Sequence, residues 1–71
     1  MATPDFFATC RRWIADRGFG FCDLPDGRSV FVHSSVCMRC IGMNALTVGE
    51  QYGIDIELGH NGLRATRIEQ T

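Results

Sequence analysis

No lysine occurs in this 71-residue chain: all seven cations are arginine, at Arg11, Arg12, Arg17, Arg28, Arg39, Arg64 and Arg67. With eight acidic residues the formal charge is −1, which excludes a protein held to a polyanion mainly by bulk positive charge, because counterion release needs many cations in one place. Long apolar runs are missing too. The longest are a few residues, such as Val30-Phe31-Val32, far short of the roughly 20 that cross a bilayer as a helix, so no membrane partner is expected. The opening Met1-Ala2-Thr3-Pro4-Asp5-Phe6-Phe7 has neither the basic start nor the apolar middle of a secretory signal. A cytoplasmic location is expected, and with it four reduced cysteines rather than two disulfides. Length sets the last exclusion. At 71 residues one small core closes, as a single domain over residues 1–71 that needs no partner copy, and a dinucleotide-binding sheet or a TIM barrel does not fit.

Period-two patterns recur, and no amphipathic helical pattern holds beyond two turns, which predicts an all-β chain of short strands. In residues 51–58, Tyr52, Ile54, Ile56 and Leu58 alternate with Gln51, Gly53, Asp55 and Glu57, so one face is expected buried and the other wet. Gly59-His60-Asn61-Gly62 turns the chain. Residues 63–68 then read as a closing strand, with a slip in alternation near Thr66 that predicts a bulge. Residues 34–47 carry Val36, Met38, Ile41, Met43 and Leu46 with no sustained period, and read as a loop with room for a helical turn.

Pro25-Asp26-Gly27 is a turn signal, Pro fixing φ and Gly tolerating positive φ. A hairpin centred on Asp26 pairs Phe21 with Phe31 and Phe19 with His33 on one face, and Cys22 with Val30 on the other. Cys22, Val30 and Val32 already supply an apolar face, so the rings are left pointing outward. An earlier hairpin through Ala15-Asp16-Arg17 is expected to set Trp13 opposite Phe19 and Arg11 opposite Phe21. The outward set becomes Arg11, Trp13, Arg17, Phe19, Phe21, Phe31 and His33. Aromatic rings interleaved with arginine suit unpaired bases, since every base has a π-face to stack and every phosphate needs a donor. The competing reading inverts the faces and makes the rings core.

Arg17-Gly18-Phe19-Gly20-Phe21-Cys22 resembles the first ribonucleoprotein motif of the cold-shock domain family, and Val30-Phe31-Val32-His33-Ser34-Ser35 resembles its second. Arg12-Trp13 is similar to the basic-aromatic pair ending that family's first strand. Leu46-Thr47-Val48-Gly49-Glu50-Gln51 is similar to the segment preceding its fourth, and the likeness extends over residues 7–69. The resemblance implies a five-stranded antiparallel OB-fold barrel that binds single-stranded RNA or DNA with low sequence specificity, as an RNA chaperone or a regulator of transcription or translation. Three departures stand out. The loop between Trp13 and Gly18 is one residue shorter than in the common bacterial form, so either Arg12 or Trp13 can occupy the family's Trp position. Ser34 and Ser35 stand where a further aromatic is usual, and phosphate contacts fall to arginine alone. The expected nucleic-acid-binding residues are Arg11, Arg12, Trp13, Arg17, Phe19, Phe21, Phe31 and His33.

Cys37-Met38-Arg39-Cys40 with His33 upstream raises zinc. The remaining ligand candidates, Cys10, Cys22 and His60, fall in a sheet or a distant turn, so no metal or other cofactor is expected and Cys22 reads as core. A Cys37 nucleophile with His33 as base lacks a third orienting group, so no enzyme is expected. His60 reads as a turn residue, and Asp55 with Glu57 as a solvated strand face. The alternative class is a protein-interaction module, docking on a transcription or RNA-processing protein through the aromatic face or the loop from Ser34 to Leu46.

Overall fold

The computed structural model describes residues 3–71; Met1 and Ala2, part of the opening segment considered above, lie outside the described residues. The order is β1 (Phe6–Ile14), β2 (Phe19–Asp23), β3 (Ser29–His33), α1 (Ser34–Ile41), β4 (Gln51–Gly59) and β5 (Gly62–Gln70). The strands close a barrel in the order β1-β2-β3-β5-β4. Four seams are antiparallel, while β3 and β5 run parallel at Phe31 and Arg64. The five-stranded OB-fold barrel expected from the sequence is thus observed, and its one parallel seam has a topological reason: directions cannot alternate all the way round a ring of five.

The turn at Pro25-Asp26-Gly27 forms as its residues dictate. Gly27 adopts φ 91° and donates its N–H to the Leu24 carbonyl at 2.9 Å, while the Asp26 carboxylate accepts from the Arg28 N–H at 3.0 Å. That turn fixes the β2–β3 register at Phe19–His33, Phe21–Phe31 and Cys22–Val30, the pairing expected. Inward go Cys22, Val30 and Val32, all fully buried, joined in the core by Cys10, Ile54 and Ile68 from the other strands. The slip near Thr66 is a bulge: Asp55 pairs with Arg67 but Ile56 with Ala65, which leaves Thr66 as the extra residue. Its hydroxyl donates to the Asp55 carbonyl at 3.2 Å.

Three expectations are corrected. The register of β1 on β2 shifts between Cys10 and Arg12, so Arg12 faces Phe21 and Trp13 faces Gly20, instead of Arg11 on Phe21 and Trp13 on Phe19. A bulge at Arg11 reverses the facing of everything after it. Residues 34–41 form the helix α1 rather than a loop, capped by His33 and ended by Gly42 at φ 71°. Leu58, expected inward, is 81% exposed, because β4 runs past the end of the core into the turn before β5. Phe6 packs partly against the core while Phe7 faces out.

Candidate functional site

Phe19, Phe21, Phe31 and His33 form one cluster on the outer face of β2 and β3, because cross-strand partners share a face and alternate residues return to it. Phe31 is its centre. Its ring centroid lies 5.3 Å from Phe19, 6.0 Å from Phe21 and 6.4 Å from His33. The Phe19 and Phe21 rings meet edge to face at 6.0 Å. The rings are half-buried by one another and His33 is exposed, so the cluster presents aromatic surface to solvent in place of a core.

His33 does two things. Its Nδ1 accepts the Ser35 N–H at 3.1 Å and lies 2.9 Å from the Ser35 hydroxyl, so the side chain caps α1. An Nδ1 that accepts an N–H carries no proton, which places the ring proton on Nε2, the nitrogen left free of that cap. The turn before β2 is tied to the same point, since the Ser34 N–H donates to the Gly18 carbonyl at 2.8 Å.

Trp13 does not join the rings. Opposite Gly20 it turns inward and packs against the core, filling the space a side chain at position 20 would need: a Cβ there would collide with the Trp13 ring and the Arg12 carbonyl. Arg12 takes the outward place at the end of β1, opposite Phe21. Arg11, at the bulge, is engaged by Asp23 at 3.3 Å and by the Ser29 hydroxyl at 3.2 Å.

Most other guanidiniums are also committed. Arg28 pairs with Asp26 at 2.6 Å, Arg64 with Glu57 at 2.6 Å and Arg67 with Asp55 at 3.0 Å, while Arg39 donates to the Thr66 carbonyl at 2.7 Å. Among the described residues, the guanidiniums of Arg12 and Arg17 alone have no acceptor, side-chain or backbone. They lie at the end of β1 and in the turn leading into β2, beside the ring cluster.

Phe31 separates two grooves. One runs between Phe31 and the β4–β5 turn, lined by His60, Asn61 and Arg64; the other runs between His33 and α1, lined by Arg39, Glu57 and Thr66. His60, Arg39 and Arg64 escaped the sequence reading as neighbours of the rings. The pairing of β3 with β5 that brings them there joins distant segments and leaves no local mark.

Cys10, Cys22 and Cys37 are buried free thiols and Cys40 is partly exposed. Burial pushes Cys22 up to about 12, with help from neighbouring Cys10, and pushes Cys37 up to about 11. An activated nucleophile needs the opposite shift, and the partner considered for Cys37, His33, is occupied capping α1. Among the described residues no group of three or more His, Cys, Asp or Glu is placed to hold a metal ion, and no helix is long and apolar enough to cross a membrane.

No family model matches the chain. It is, however, 33% identical to the Bacillus subtilis cold shock protein CspC over 60 residues, 83% of this chain and 89% of that one. It is 39% identical to cold shock protein 2 of Lactiplantibacillus plantarum over 59 residues, 82% of this chain and 88% of the relative. The major cold shock protein of Streptococcus pyogenes shares 34% over 58 residues, 80% and 85% of the two chains. With a closed five-stranded barrel and similarity along four-fifths of its length, this chain belongs to the cold shock protein family.

Proposed function

We propose that the protein binds single-stranded RNA or DNA with little sequence preference. Bases stack on Phe19, Phe21, Phe31 and His33, and the uncommitted guanidiniums of Arg12 and Arg17 supply positive charge beside them. The observation that carries this reading is the outward ring cluster centred on Phe31. Rings that could have been core are held at the surface by a register that already fills the interior with Cys22, Val30 and Val32.

Stacking contributes roughly 1 to 3 kcal/mol per base, so three bases on four rings reach micromolar affinity, about −8 kcal/mol, at the upper part of that range. Two available arginines imply a log-log salt slope between about −1 and −2 for a single strand. Bound to unpaired strands only, the protein shifts hairpins toward their open form by mass action, without ATP. That is the work of an RNA chaperone or of a regulator of transcription or translation.

Fluorescence anisotropy of labelled oligo-dT, oligo-U and a matched duplex, at about 50 and 200 mM salt, tests the reading. Single strands are expected to bind with the shallow slope and the duplex not. Phe19→Ala with Phe31→Ala is expected to abolish binding while circular dichroism shows the barrel intact. Undiminished binding by that double variant would sink the proposal. For the chaperone role, a labelled RNA hairpin whose melting is unmoved by saturating protein would do the same.

A further inference from the structure

A pocket opens beside Phe21, lined by Arg11, Arg12 and Ser29 together with the Phe21 ring. Its two cations differ. Arg11 is held in place by Asp23 and Ser29, whereas Arg12 projects from the same bulged stretch opposite Phe21 with its donor fork unmet among the described residues. A planar ring next to a free, planar, two-pronged donor is a site that can take a base by its face and by its edge together.

The fork selects among bases. It needs two adjacent acceptors, which guanine offers as O6 and N7. Adenine sets an amine beside N7, and uracil and thymine separate their two carbonyls by an N–H. Cytosine has adjacent O2 and N3, but its sugar is attached next to O2 and crowds the approach of the fork. Guanine carries its sugar on N9, away from the O6–N7 edge, and leaves that edge open. We infer that the Phe21 pocket is a guanine-reading position on an otherwise sequence-tolerant face, with Phe21 stacking the base and Arg12 donating to O6 and N7. This rests on the strand-binding reading above and adds a base preference to it.

The test scans a single guanine through a thymidine heptamer, with cytosine and adenine scans as controls, by anisotropy. Repeating it with ribose oligonucleotides covers RNA, and the same gain is expected there because the base edge is unchanged. At one position guanine is expected to bind about five- to tenfold more tightly than thymine, the lower part of what a bidentate arginine–guanine contact gives. Replacing that guanine by 7-deazaguanine, which lacks N7, removes most of the gain. In Arg12→Lys, which keeps the charge and loses the fork, the guanine-to-thymine affinity ratio falls to within about twofold of unity. A flat scan overturns the inference, as does an equal gain from cytosine or adenine. So does a ratio that survives Arg12→Lys, the result expected if Arg12 only holds a phosphate and both affinities fall together. Absence of binding to every single strand is a separate outcome, in which the strand-binding reading fails and the guanine position with it.

Discussion

Gly20 sits between two phenylalanines of the ring cluster, yet what constrains it lies on the other side of the sheet. Trp13 and the Arg12 carbonyl occupy the place of its Cβ, so a glycine in a ribonucleoprotein-like motif serves packing here. Gly20→Ala is expected to destabilise by roughly 1 to 3 kcal/mol, the usual cost of overfilling a packed site. In a domain of this size that lowers Tm by at least about 4 °C, read by thermal denaturation followed by circular dichroism. The same pair of residues marks where sequence reasoning stopped. The facing of Phe21, Phe31 and Cys22 was legible, because Pro25-Asp26-Gly27 determines where that hairpin folds. The facing of Trp13 was not, because a bulge adds one residue to one strand with no turn chemistry to announce it.

Among the elements, α1 is the one whose existence the pattern hid. Eight residues with Cys37 alone buried are too short for a 3.6-residue period to declare itself. The helix begins where the ring face ends, and His33 belongs to both. His33→Asn is expected to keep the cap and so leave Tm nearly unchanged, while oligonucleotide affinity falls with the lost ring. His33→Ala is expected to lose the ring and also about 1 kcal/mol of helix stability. Equal Tm loss in the two variants would show that the cap contributes nothing. The β4–β5 hairpin was nearly all legible, down to the bulge at Thr66. Its contribution to the grooves beside Phe31 was not, since that depends on β5 lying next to β3.

For the molecule as a whole, burial predicts the behaviour of the thiols. Cys10, Cys22 and Cys37 lie in one interior, their protonated forms favoured chiefly by desolvation. In native protein one thiol, Cys40, is expected to react quickly with a disulfide reagent, and all four after denaturation; prompt reaction of three or four in the native state would contradict this core. The sign with pH follows. Folded-state values for Cys22 and Cys37 stand above the ordinary 9.0, so the unfolded chain loses those protons first. Stability is fully present below pH 9 and declines as pH rises toward about 11 to 12. Alkaline titration of Tm checks it.

The parallel meeting of β3 and β5 at Phe31 and Arg64 is the narrowest seam of the barrel, and it runs directly under the centre of the ring face. A ring with one short seam opens there first, so amide hydrogens beside Phe31 and Arg64 report the lowest-energy opening of the sheet. A strand laid across Phe31 toward the groove at Arg64 bridges both sides of that seam. It would act as a splint, suppressing exchange at β3 and β5 more than at the longer β4–β5 ladder.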